Sequence, residues 1–300
     1  MTPEASEGEK TRICLGWTCT NLRTLGKSVS ITASTGIAAT HYGELCATTL
    51  HKWAGLNDGR YTNIELLHII LTDEKFHGVK NRIMETEVLI IDEVSMTSSR
   101  VLNQVEFVCR QIRKPNHIFG NIQIILCGDF YQLPPVSNEL HGDFGHFCFE
   151  SSWFLSLIKH QIALHIIHRQ GDELPATAIY NLEKGLLTNE TSAFLNSLSR
   201  PIPNECDAVH LFARNLDADL YNMQKLQQLP GIMAYFASND EGSQHYLNKI
   251  IAPKQLAIKE MCSVMLLTNL SEVLVNGLIG RVVKIGQDDI EVVFPVTQNI

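Results

Sequence analysis

The chain has 300 residues, 45% apolar and 19% charged, with a formal net charge of −8 at pH 7. That balance excludes a disordered polymer and allows one large domain or two ordinary ones. It also excludes a global positive field, so any nucleic-acid site must be a local groove of aromatic, hydroxyl and backbone contacts.

Taken in order, residues 1–12 are polar and read as a disordered lead-in without a signal-peptide core. Leu15 to Leu25 suits a weakly patterned helix. Val29 to Ala33 predicts a short strand, closed by the turn Ser34-Thr35-Gly36, with a helix from Ile37. Residues 55–63 predict a loop, and Ile64 to Leu71 a helix. Residues 87–91 predict the central strand. Val101, Leu102, Val105, Val108 and Ile112 recur at helical spacing, so Thr97 to Arg113 predicts a helix. Thr97 or Ser98 can cap its start, and Pro115 lies just past its end. Ile122 to Cys127 and Ile162 to Ile167 are further apolar strands, and Glu173 to Leu187 is a helix. Val209 to Ala213 predicts another strand. Leu216, Leu220, Met223 and Leu226 form one stripe of a helix stopped by Pro230-Gly231. Residues 231–262 carry little pattern. Val282 to Ile285 and Ile290 to Phe294 flank a turn and predict a hairpin. No apolar run approaches a membrane span. The eight cysteines form no C-x-x-C pair, so they read as reduced thiols of an intracellular protein rather than a zinc site.

Strands alternating with helices argue for βαβ units and a parallel sheet. Within that frame, Val88-Leu89-Ile90-Ile91-Asp92-Glu93 is the informative stretch. A continuous apolar run suits a strand buried on both faces. Two carboxylates at its carboxyl end lie where open α/β sheets bind ligands. Asp92 can hold a magnesium ion through water, and Glu93 can activate an attacking water. Gly128-Asp129-Phe130-Tyr131-Gln132-Leu133-Pro134-Pro135 follows the next buried strand, and Gln132 there can report a γ-phosphate. Strand ends thus carry Thr35, Asp92, Glu93, Asp129 and Arg169, which a parallel sheet brings to one edge.

Taken together, four segments resemble one family. They are Thr32-Ala33-Ser34-Thr35-Gly36-Ile37-Ala38-Ala39, Thr48-Thr49-Leu50-His51, Ile91 to Met96, and Gly128 to Pro135. They are similar to the PIF-type ("petite integration frequency") 5′-to-3′ DNA helicases of superfamily one, which are RecD-like. Phe149-Glu150-Ser151-Ser152-Trp153, His168-Arg169-Gln170, Val264 to Leu270 and Val275-Asn276-Gly277 continue the match, which covers about residues 24–296. The resemblance implies ATP and Mg2+ as cofactors and single-stranded or forked DNA as partner, with no membrane. It implies DNA repair, recombination and telomere maintenance, in nucleus or mitochondrion. Asp92 would hold the magnesium and Glu93 would be the base. Gln132 would sense the γ-phosphate, and Arg169 would be an arginine finger, here preceded by His168 instead of an aromatic. Ser34, Thr35 and His51 would line the single-strand groove; a packed ring is the competing reading for His51. Trp53 and Trp153 read as core rather than as base-stacking platforms.

The sequence departs from the family at its phosphate-binding loop, G-x-x-x-x-G-K-[ST]. Gly26-Lys27-Ser28 is a decoy, because Asn21 stands where the first glycine belongs and a strand follows instead of a helix. Gly8-Glu9-Lys10-Thr11 lacks the adjacent Gly-Lys pair. The later family motifs, a Gln-Gly loop and an Ala-Leu-Ser-Arg segment, are also missing. The expected architecture is α/β. Residues 1–160 form a RecA-like motor domain, and 161–300 part of a second, with a small β insertion from about 278. The expected function is an ATP-dependent helicase. The alternatives are a degenerate binding module without turnover, or a fragment of a full helicase.

Overall fold

The computed structural model describes residues 7–57, 59–163, 173–200, 209–242, 247, 252–271, 273–287 and 289–295. The chain separates into two compact units, Met1–Arg200 and Pro201–Ile300, and each is described by itself.

The first unit runs α1 (Glu7–Thr24), β1 (Val29–Ala33), α2 (Gly36–Thr40), β2 (Thr48–Thr49), α3 (Leu50–Ala54), α4 (Asn63–Thr72) and α5 (His77–Glu85). It continues with β3 (Val88–Asp92), α6 (Ser99–Ile112), β4 (Gln123–Leu126), α7 (Phe154–Leu157), α8 (Glu173–Glu183) and α9 (Asn189–Ser197). The four strands form one parallel sheet in the order β2-β1-β3-β4. The central strand is buried on both faces, as its unbroken apolar run requires. Leu89 and Ile91 join Ile70, Ile83, Leu102 and Val105 on one side. Val88 and Ile90 join Leu15, Cys19, Val29, Ile31 and Tyr42 on the other.

Local signals fix the helix starts. Ser98 caps α6 by accepting from the Val101 amide at 3.1 Å. Thr62 and Glu65 form a capping box on α4, which satisfies two amides reciprocally. Arg113, just past α6, donates one nitrogen to the carbonyls of Ile83, Met84 and Thr86 at 2.8, 2.7 and 2.6 Å, closing the end of α5.

In this unit one expectation changes and another holds. The disordered lead-in is overturned for residues 7–12, because α1 begins at Glu7. Among its described side chains, Leu15 and Cys19 are buried in the core on one side of the sheet. Trp53 and Trp153 are core residues. Trp53 is almost fully buried, and Trp153 packs edge-on against Phe119 while its indole nitrogen donates to Asn103 at 2.7 Å. The expected strand Ile162 to Ile167 falls mostly outside the described residues.

The second unit contains α10 (Asn215–Gln228), β5 (Ala234–Ala237), β6 (Gln255–Ile258), β7 (Ser263–Met265), β8 (Ile279–Ile285) and β9 (Ile290–Val293). β5 and β6 pair antiparallel, as do β7, β8 and β9 in that order. The expected hairpin is β8–β9. Its small core holds Ile258, Cys262 and Val282. Lys259 donates to the Leu229 carbonyl at 2.6 Å, just past the end of α10. Val209 to Ala213 forms no strand. Leu211 is 92% exposed, and His210 and Phe212 stack instead on Tyr221 of α10 at 4.6 and 5.2 Å. An apolar run makes a strand only where it finds a ladder, and among the described residues none pairs with it. Among the described residues no helix is long and apolar enough to cross a membrane.

Candidate active site

Parallel pairing decides which residues share an edge. Ala33 stands opposite both Thr49 and Asp92, and Ile91 stands opposite Leu126. The carboxyl end of the sheet therefore carries, side by side, Leu50-His51, Ser34-Thr35, Asp92-Glu93 and Gly128-Asp129.

Asp92 is held at both carboxylate oxygens. The Glu93 amide donates to Oδ1 at 2.9 Å and the Tyr42 phenol to Oδ2 at 2.6 Å. Burial of Tyr42, together with this hydrogen bond, pushes its hydroxyl far above the ordinary phenol range, so it remains a donor. Glu93 sits in the left-handed region at φ 53°, a strained backbone for a residue with a side chain. It turns the chain into a short 3-10 segment, Val94–Met96.

Next along the edge, the Val94 amide donates to the Cys127 carbonyl at 2.9 Å. A Cβ at residue 128 would stand 2.9 Å from the Val94 nitrogen, so this approach needs glycine. Asp129 then closes a tight turn. It accepts from the Tyr131 amide at 2.9 Å and from the Gln132 side chain at 3.2 Å. The turn is anchored on two sides. Phe130 meets Phe149 edge-on at 4.9 Å, and Lys184 at the end of α8 donates to the Tyr131 hydroxyl at 3.1 Å.

Ser34 connects the two halves of the expected site. Its amide donates to the Asp92 carbonyl at 3.2 Å, and its hydroxyl donates to the Glu93 carbonyl. The same hydroxyl lies 3.2 Å from that of Thr97. Thr35 caps α2, accepting from the Ala38 amide at 3.2 Å. His51 sits in the first turn of α3, whose cap is Thr49. Its imidazole is held below its ordinary range by burial, partly offset by the Asp143 carboxylate.

Of the expected site residues, the sheet edge brings together Ser34, Thr35, His51, Asp92 and Glu93, with Gln132 on the adjoining turn. Arg169 lies outside the described residues. The sequence gives Tyr42 no role and Gly128 only a place in a motif; Tyr42 is fifty residues from its partner, and no spacing rule reaches that far. Lys27 of the decoy loop pairs with Glu87 at 2.9 Å where α1 turns into β1, away from the acid edge.

The donor set suits magnesium. Among the described residues no group of three or more His, Cys, Asp and Glu side chains gathers into a cage. Magnesium keeps several waters and is usually held by one or two carboxylates plus phosphate oxygens, which is what Asp92 and Glu93 at a strand end offer.

The profile of the PIF1-like helicase family matches residues 8–184. The ATP-dependent DNA helicase RRM3 of Saccharomyces cerevisiae is 36% identical over 264 residues, covering 85% of this chain and 36% of that protein. This chain thus spans little more than a third of that relative. A crystal structure of Pif1 helicase from Candida albicans superposes with a TM-score of 0.79 at 32% identity, covering 97% of this chain and 70% of that one. Pif1 helicase from Bacteroides, solved with ADP-AlF3 and single-stranded DNA, superposes with a TM-score of 0.71 at 25% identity, covering 90% and 63%.

Proposed function

The chain belongs to the PIF1-like helicase family, and from that premise we propose that it works as an ATP-dependent 5′-to-3′ DNA helicase. It acts on single-stranded or forked DNA inside the cell, in nucleus or mitochondrion, in repair, recombination and telomere maintenance. Residues 1–160 belong to the first motor domain and 161–300 to part of a second, with a β insertion from about 278. The compact units part later, at Arg200, because α8 and α9 stay with the first.

Asp92 holds a water of the magnesium ion, and Glu93 takes the proton of the attacking water. Gln132 senses the γ-phosphate, and Arg169 serves as the arginine finger. When bound, Mg2+ neutralises charge developing on the β- and γ-phosphate oxygens. Catalysis of phosphoryl transfer is mostly positioning and electrostatics, and the chain's share is to hold these groups in register. Ser34, Thr35 and His51 border the strand. Thr35 uses an acceptor lone pair on the Ala38 amide, which leaves its proton for a phosphate oxygen. Such contacts position a strand without reading its sequence.

The observation that carries this reading is the Ser34 junction. The segment expected to touch DNA is hydrogen-bonded to the backbone of the acid pair expected to touch ATP. Movement at either side is therefore felt at the other. The test is fluorescence anisotropy of labelled single-stranded DNA with and without ATP and Mg2+. The motor reading expects nucleotide and metal to shift the affinity several-fold, and Asp92→Asn to erase the shift. Binding indifferent to nucleotide would instead support a module that holds DNA without turnover.

A further inference from the structure

The family motifs quoted above stop at Ala39 and resume at Thr48, and Tyr42 lies between them. Its ring is nearly fully buried against Leu15, Cys19, Val29, Ile31, Val88 and Ile90. Its backbone is clamped as well. The amide donates to the Ala39 carbonyl at 3.2 Å, and its carbonyl accepts from Leu45 at 3.0 Å. Only the phenol tip leaves this apolar socket, and it ends on Oδ2 of Asp92 at 2.6 Å. That separation is the range of a charge-assisted O–H···O⁻ bond.

We propose that Tyr42 is a positioning residue: its hydroxyl fixes the Asp92 carboxylate in the orientation that receives the hydrated magnesium ion. The proposal rests on the reading of Asp92 given above and adds the element that orients it. A carboxylate at a strand end turns freely about its last torsion. Here one oxygen is tied to the adjacent amide and the other to a phenol carried by a different element. Each oxygen accepts at two lone-pair sites, so one on each stays open for metal-bound water. A partner behind a ligating carboxylate commonly changes metal affinity ten- to a hundredfold.

Tb3+, a hard cation that seeks oxygen ligands, probes this site without nucleotide. Its emission is titrated on the full chain by direct excitation, which reports affinity, and by tyrosine excitation, which reports a nearby phenol. The wild type is expected to show both signals, and Asp92→Asn to lose the tyrosine-excited one. Tyr42→Phe keeps the ring in its socket and is expected to weaken directly excited binding about tenfold. Para-aminophenylalanine at position 42 restores a donor and is expected to recover the affinity. A role confined to packing would leave Tyr42→Phe equal to wild type, and that result overturns the proposal while sparing Asp92. Identical titrations of wild type and Asp92→Asn overturn the metal role of Asp92 and the Tyr42 proposal together. If Tyr42→Phe does not fold, recovery of wild-type affinity with the para-amino residue still supports the role, and no recovery overturns it.

Discussion

His51 shows how burial of one titratable residue ties stability to pH. Burial disfavours its charged form, so its folded pKa lies below the ordinary 6.5. Between the folded and unfolded values the unfolded chain binds more protons, and stability therefore rises with pH across that window. The His51 contribution is complete above about pH 6.5 and is lost as pH falls towards the folded value. Replacing His51 with glutamine is expected to flatten the fall in melting temperature between pH 7.5 and 5.5, measured by calorimetry. An unchanged slope would mean that the imidazole is not held neutral by its surroundings. The place of the acid pair is legible at the same scale, because an unbroken apolar run reads as a buried strand and the carboxylates stand at its end. The left-handed backbone of Glu93 was not, since nothing in Ile-Asp-Glu-Val marks a positive φ. Tyr42 was equally hidden, because its meaning lies in a contact fifty residues away.

Among the elements, those whose pattern and punctuation agree were read correctly. α6 has five apolar residues at helical spacing, a serine cap and a proline beyond its end, and it was placed to within two residues. β3 needed only its unbroken run. The failures lie where burial is partial. Of the described side chains of α1 only Leu15 and Cys19 are buried, and 209–213 has the composition of a strand but pairs with no described residue. β5 and β6 expose every second residue or more, so no pattern set them apart. The segment after α6 carries a further feature that sequence could not reveal. Gly120 stands at φ +61°, and an added Cβ would lie 2.5 Å from the Cys109 carbonyl oxygen and 2.7 Å from the Arg113 Cβ. The helix backbone cannot move aside, and a side chain also meets the left-handed penalty. Gly120→Ala is thus expected to destabilise the first unit by about 2–4 kcal/mol, read as an earlier chemical-denaturation midpoint. A loss below about 0.5 kcal/mol would show that the loop shifts freely off α6.

The first unit gathers the proposed nucleotide-facing groups, with their supports, on one sheet edge. The acid pair, the Asp129–Gln132 turn and the Ser34-Thr35 segment lie on one sheet edge or on the turn that leaves it, joined by hydrogen bonds through Ser34, Tyr42 and Val94. The fold was legible because α/β alternation dictates a parallel sheet, and a parallel sheet dictates a common edge. The opposite side of such a site needs a phosphate-binding loop. No G-x-x-x-x-G-K-[ST] occurs in the 300 residues, and Gly8-Glu9-Lys10-Thr11 falls in the first turns of α1 without the Gly-Lys pair. Backbone amides and a lysine on the β- and γ-phosphates supply much of the positioning and electrostatics on which phosphoryl transfer depends. The 300-residue chain is therefore expected to hydrolyse ATP at less than about 1 per second in the presence of single-stranded DNA, below the usual range for phosphoryl-transfer enzymes. A coupled ATPase assay on the purified chain, run beside Glu93→Gln, decides the matter. Turnover at or above that rate, abolished by Glu93→Gln, would show that the acid side works without the signature loop and that other groups cradle the phosphates. Turnover that survives Glu93→Gln would count against Glu93 as the base.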